Sequence, residues 1–191
     1  MSANIARELL RDGFDRVAQT VRSVTSGTDA SVLLYQPDPQ SNHAAWLIWH
    51  LTRVQDDHMA DLAAVLGGAE ASSPGAAQHI PAGQLWLEHG WAHRLALPYE
   101  ESDTGFGHDA EQVRAFDNGD SGLLSAYHQA VHDRTLQILE SLGSGDFERI
   151  VDTRWEPPVT AASRWVSVLN DTTQHAGQAA YVRGLAERAL G

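Results

Sequence analysis

There is no cysteine anywhere in the chain. Disulfides, thiolate metal sites and a cysteine nucleophile are therefore excluded, and any thiol that reacts here must come from a second molecule. Basic residues are scarce: 13 Lys and Arg stand against 25 Asp and Glu, a formal net charge of -12. That balance argues against nucleic acid and against anionic membranes, since both need a basic face. Acidity of this kind favours solubility. No apolar run approaches the roughly 20 residues that span a bilayer. The opening "MSANIARELLRDGFDRV" is charged and amphipathic, without the apolar segment of a secretion signal, so a cytoplasmic protein is expected. What remains is 191 residues, 42% of them apolar. That suits a single domain, 1–191, with a sizeable core.

Helical periodicity fills four long segments, with no internal repeat and no strand alternation strong enough for a sheet. The first runs from about Ser2, a candidate N-cap, to Ser26. Its apolar stripe is Ile5, Leu9, Leu10, Val17, Val21 and Val24, and Gly13 weakens its middle by about 1 kcal/mol relative to Ala. The second runs from about Ser41 to Leu66, with Trp46, Leu47, His50, Leu51, Val54 and Met59 or Leu62 inward. The third spans about Ser121 to Leu142 through Leu124, Tyr127, Val131 and Ile138. The fourth follows "EPPVT", where Thr160 suits an N-cap, and continues to about Leu190. An all-α four-helix bundle follows, with a long irregular connection between the second and third helices. Residues 67–83 of that connection are small and flexible in composition. Short helices are expected in "QLWLEHGWAHRLAL" and from His108 or Asp109, and an extended segment in "RIVDTRW".

The informative polar groups lie on the apolar stripes. His50 sits between Leu47 and Val54, and a satisfied core histidine is the plainest account of it. Asp171 and His175 change the balance. The stripe Val168, Asp171, His175, Gln178, Val182 advances by three and four, which stacks the acid and the imidazole on one helix face. A carboxylate in a bundle core is costly unless a cation or strong donors neutralise it. The pair can share one divalent cation, and His50 can supply a third donor from a facing helix. Two imidazoles and a carboxylate leave coordination positions open, as catalytic sites do. His128 and His132, also four apart, are candidates for a fourth ligand, a second-layer acceptor or a general base. Asp57, beyond His50 on the same face, is a second-layer or general-base candidate, whereas Asp56 and His58 are expected to point elsewhere. His89 and His93 flank Gly90 in the irregular connection, a poor base for rigid ligands. Trp46 and Trp49 suit a pocket wall or the core. Arg53 and Arg183 suit a carboxylate or sugar group of a ligand, or surface pairing. "DTGFGH", 103–108, suits the rim of a site or a tight turn.

"SNHAAWLIWHLTRVQDDHMADL" and "NDTTQHAGQAAYVRGL" resemble the DinB-like four-helix metalloproteins. The similarity is greatest to their actinobacterial, mycothiol-dependent branch. That branch includes mycothiol S-transferases and is related to the N-terminal domain of mycothiol-dependent maleylpyruvate isomerase. "MSANIARELLRD", "DTGFGH" and "VDTRWEPPVT" share in it, and residues 67–83 do not. The family holds its metal with one histidine on the second helix and an H-x-x-x-H pair on the fourth, followed by glutamine. Here Asp171 replaces the first histidine of the pair, as the mycothiol branch also does. The resemblance implies a His50–Asp171–His175 site for zinc, nickel or another divalent ion. It also implies transfer of a thiol such as mycothiol, through its metal-bound thiolate, to an electrophile for detoxification. The alternatives are a metal-dependent hydrolase or isomerase, or a non-catalytic stress-induced metal- or thiol-binding protein. A homodimer fits the family's habit of pairing helices.

Overall fold

The computed structural model describes residues 3–73 and 83–191. The Ser2 cap and most of the 67–83 stretch lie outside these. The elements run α1 (Ala3–Thr25), α2 (Ala30–Leu33), α3 (Ala44–Leu66), α4 (Leu85–Glu88), α5 (Trp91–Leu95), α6 (Ala110–Ala115), α7 (Ser121–Ser141), β1 (Ile150–Asp152), β2 (Val159–Thr160) and α8 (Ala161–Leu190). The long helices α1, α3, α7 and α8 form the bundle. α1 borders α7 and α8, and α3 borders the same two.

Pairs across the interfaces fix the directions. Arg11 meets Glu140 and Asp15 meets His132, so α1 and α7 are antiparallel. Phe14 packs edge-on against Trp165, and Arg183 bonds the Ser23 carbonyl, so α1 and α8 are parallel. The second and third long helices, α3 and α7, therefore run the same way. The chain leaving α3 must return the whole length of the bundle, roughly 35 Å for 23 helical residues. This is why the connection between them is long.

The core divides into two apolar clusters. One joins Val17, Val21 and Val24 to Leu47, Trp49, Leu124, Tyr127 and Ala179. The other joins Leu10 and Phe14 to Met59, Leu62, Ile138, Trp165 and Val168. Each long helix crosses both. On α1 the buried stripe passes through Leu10, Phe14, Val17 and Val21, whereas Ile5 and Leu9 are exposed, contrary to expectation. Leu9 lies about 100° of helix rotation from Leu10, which turns it to solvent. Gly13 has a packing use as well as a cost: a Cβ there would stand 2.6 Å from Leu169 Cδ2, so α1 and α8 touch closely at this point.

The helix ends follow local chemistry. α3 begins at Ala44 rather than Ser41, because the His43 imidazole accepts the Trp46 N–H as an N-cap. Asp109 and Gln112 form a capping box on α6. Thr160 caps α8 by accepting from the Ser163 N–H. Within "RIVDTRW" the strand is Ile150–Asp152, with a bend at Arg154 and Trp155, and it also pairs: β1 and β2 make a two-stranded antiparallel sheet that the sequence pattern did not show. No helix among the described residues is long and apolar enough to cross a membrane.

Candidate metal centre

The groove between α3 and α8 holds the polar groups of interest. These helices are antiparallel, so His50 faces His175 and His58 faces Arg164. The rings of His50 and His175 meet edge to face, with centroids 4.8 Å apart. His175 Nε2 lies 3.6 Å from Asp171 Oδ1. One donor atom from each of His50, Asp171 and His175 lies within 4.8 Å of the others, and these three are the metal-type cluster found among the described residues.

The second nitrogen of each imidazole is engaged. His50 Nδ1 lies 2.5 Å from the Thr104 carbonyl oxygen, and His175 Nδ1 lies 2.8 Å from Gln178 Oε1. A carbonyl oxygen only accepts, so each Nδ1 carries the proton and each Nε2 offers a lone pair. Asp171 Oδ2 is shielded from solvent and has no hydrogen-bond partner, an orphaned acceptor that a cation would satisfy. The donors stand a little wider than the roughly 3.3 Å between ligands around a tetrahedral zinc at about 2.0–2.1 Å. Residue types, tautomers and the unpaired oxygen all fit a divalent metal.

Electrostatics separates the three. Burial pushes the His50 pKa down despite its bond to Thr104, which keeps its ring neutral. Burial works against the charged form of Asp171, but the neighbouring His175, His50 and His58 rings outweigh it and hold the pKa low. The Asp171 carboxylate in turn raises the pKa of His175. Asp171 and His175 are not core residues, as their stripe had implied. Their side chains are 36% and 21% exposed, while Thr172, Ala176 and Ala179 take the core face. The site is therefore backed by α3 and open on the α8 side.

The wall behind His50 is aromatic. Trp46 stacks on its ring at 4.7 Å and 15°. Trp49 is buried against Trp86, Tyr99, His108 and Phe116, a core position rather than an open pocket wall. Segment 103–108 closes over both tryptophans. Gly105 has φ +88°, and a Cβ there would stand 2.8 Å from His50 Nδ1, 2.9 Å from Trp49 and 3.0 Å from Trp46. A Gly105→Ala variant is expected to displace the Thr104 carbonyl from His50 and to weaken zinc binding by about 10–100-fold. Competition with a chromophoric chelator measures this, and wild-type affinity would remove the segment from the site's support.

The remaining expected residues lie elsewhere or do other work. His128 and His132 are buried against α1, with His132 Nε2 3.0 Å from Asp15 Oδ1 and Arg22 nearby. Burial pushes His128 down to about 3. The unfolded chain takes that proton near 6.5, so the folded state loses stability as pH falls from 6.5 towards 3, by up to about 1.4 kcal/mol per unit. His128→Phe is expected to flatten this slope in urea titrations between about pH 6.5 and 4.5; an unchanged slope would clear His128.

Arg53 is not a surface group. It is fully buried and donates to the Asp103 carbonyl at 3.1 Å and to Gln84 Oε1 at 2.8 Å. Arg183 pairs with Glu187 and bonds the Ser23 carbonyl of α1. Asp57 accepts from Gln84 Nε2 at 2.8 Å. His89 and His93 are exposed.

Two residues expected to point away face inward. Asp56 is buried and accepts from the Leu85 and Trp86 N–H groups and from Tyr127 Oη. His58 lies on the groove 3.5 Å from Arg164 Nη1, and burial with that guanidinium pushes its pKa down to about 4. Arg164 is braced by Asp152, which Arg154 also binds. Thr104 and His108 lie in the "DTGFGH" segment that the sequence marked as a possible rim, but their individual roles, like that of Gln84, had no local signature because their partners are far away along the chain.

A helical bundle with a His–Asp–His donor set between two antiparallel helices defines a class of protein able to hold a metal ion at an open site. The DinB superfamily model matches residues 13–179, and the chain belongs to the DinB superfamily. That superfamily includes metal-binding proteins, and its members are often metal-dependent enzymes. A crystal structure described as the conserved protein of locus from Enterococcus faecalis has a similar fold. Its TM-score is 0.77 at 26% identity, over 97% of this chain and 98% of that one. No curated protein matches the chain.

Proposed function

We propose that this protein is a metal-dependent S-transferase that joins a low-molecular-weight thiol, mycothiol, to electrophilic small molecules. The observation that carries this is the three-donor set, backed by apolar packing and open on one side. His50, Asp171 and His175 would hold the divalent ion, zinc on the strength of the family resemblance and compatible with two imidazoles and a carboxylate. A cation there supplies positive charge that lowers a thiol's pKa from its ordinary value of about 8.5.

The chain's own residues orient and shield. Thr104 and Gln178 fix the two imidazoles in the tautomer that presents Nε2. Trp46 covers one face of His50 and keeps water from it. Transfer releases the thiol proton to solvent, forms the carbon–sulfur bond from the sulfur's electron pair, and sends the leaving group away with its bonding pair. The absence of cysteine leaves no protein thiol to compete for the ion. Mycothiol in particular is supported by the motifs on α3 and α8.

The test is incubation of the zinc-loaded protein with mycothiol and monochlorobimane. The wild type is expected to exceed His175→Ala by on the order of 100-fold or more, since such an ion contributes several kcal/mol of charge stabilisation. Equal rates would overturn the proposal. Turnover of an activated ester with no thiol requirement would assign the site to hydrolysis instead.

A further inference from the structure

Phe106 is 92% exposed, more than any other large apolar side chain among the described residues. It stands between Gly105 and Gly107, whose φ values of +88° and +81° turn the chain sharply on either side of it. The segment that carries it is firmly tied. Arg53 Nε donates to the Asp103 carbonyl at 3.1 Å, His50 Nδ1 to the Thr104 carbonyl at 2.5 Å, and Trp46 Nε1 to His108 Nδ1 at 3.4 Å. Gly105 itself is buried against His50 and both tryptophans. With Cα atoms 3.8 Å apart along the chain, the Phe106 Cα lies within roughly 12 Å of His50 Nδ1. A large apolar side chain left in water forgoes the stabilisation that burial would give. Here it is held two residues beyond the Thr104 carbonyl that bonds His50, a donor of the site.

We propose that Phe106 is the apolar contact for the electrophilic substrate, and that the protein selects electrophiles with an aromatic or bulky apolar body over small polar ones. This rests on the transferase reading above. A neutral apolar molecule also meets no electrostatic penalty at a protein of net charge -12. For a halogenated nitroarene the balance is simple. The sulfur bonds the ring carbon, chloride leaves with its bonding pair, and the thiol proton goes to the buffer. The chain has neither cysteine nor lysine to consume such a reagent.

Two measurements keep this inference separate from the function it rests on. The first is equilibrium binding of 2,4-dinitrotoluene, which cannot react, to the zinc-loaded protein, followed by quenching of tryptophan fluorescence. Phe106→Ala is expected to bind about ten-fold more weakly, the loss of partial burial of one phenyl ring. Phe106→Leu should retain part of the affinity. Tyr181→Ala, which removes an exposed aromatic from α8, should match the wild type. The second is the ratio of conjugation rates on 1-chloro-2,4-dinitrobenzene and iodoacetamide, which Phe106→Ala should lower by a similar factor. Phe106-dependent binding without any conjugation would sustain the contact and sink the transferase. Conjugation with an unchanged ratio, or equal dinitrotoluene binding in wild type and Phe106→Ala, would sink the contact.

Discussion

A His50→Ala variant is expected to bind zinc at least about a hundredfold more weakly than the wild type, more than the 10–100-fold typical of losing a supporting group. His50 is the donor that α3 contributes; Asp171 and His175 both come from α8. Without it the ion is left with two ligands on one helix, both partly exposed. Elemental analysis after dialysis, with circular dichroism to verify the helices, reads the result. Equal zinc in both proteins would mean that the ion binds elsewhere. Acid should act in the same direction. Metal binding needs unprotonated donors, and the raised pKa of His175 lets protons compete from above the ordinary histidine value of 6.5. His50, with its lowered pKa, begins to compete only below that value. Zinc affinity should therefore start to fall above pH 6.5 and steepen in more acid solution.

Asp56→Ala should be the most destabilising single substitution proposed, by about 3–5 kcal/mol. The carboxylate is 3% exposed. It accepts the Leu85 N–H at 2.9 Å, the Trp86 N–H at 2.8 Å and Tyr127 Oη at 2.8 Å, with Arg53 Nη1 at 4.0 Å. Burial raises its pKa, and those donors offset only part of the rise. Alanine would strand two backbone N–H groups at the start of α4, one hydroxyl and the fully buried Arg53. A protein of this size loses about 2–4 °C in Tm per kcal/mol, so a drop on the order of 10 °C is expected in thermal melts. Asp56→Asn, which keeps one acceptor oxygen, should fall between. A shift of only a degree or two would show that the network contributes little.

Parts of this structure were legible in advance because they depend on local chemistry. Asp171 and His175 share a face because four residues make about one helical turn, whatever the rest of the chain does. Thr160 and Asp109 cap helices through bonds to residues two or three positions ahead. The four long helices were legible from apolar spacing, although that spacing misplaced Ile5 and Leu9 on α1. Both are apolar, and only the partner helices decide which edge of a broad stripe is covered.

Other features had no local signature. Asp56, Asp57 and His58 are consecutive polar residues on α3, and their identities alone did not rank them. Asp56 turned out to be the most deeply engaged, because the chain returning from α3 to α7 places two backbone N–H groups beside it. His128 and His132 have the same spacing as Asp171 and His175, yet they lie against α1, His132 on Asp15 and His128 near Arg22, instead of in the α3–α8 groove. For Arg53 residue type suggests a ligand group or surface pairing, but the loop carbonyls of residues 101 and 103 give it a buried structural role.

The sequence by itself determined the helical class, the absence of any protein thiol, the acid–imidazole pair on one face of α8 and the family motifs that include His50. Each follows from residue type or from helix geometry within a few positions. Only the tertiary structure decided that His50 meets that pair, that the Thr104 carbonyl sets the His50 tautomer, that the site opens towards α8, and that the exposed Phe106 follows the segment bonded to His50. Those facts depend on helices running in opposite directions and on a crossover that brings residue 104 back to residue 50, and such long-range packing leaves no periodic trace in a single chain.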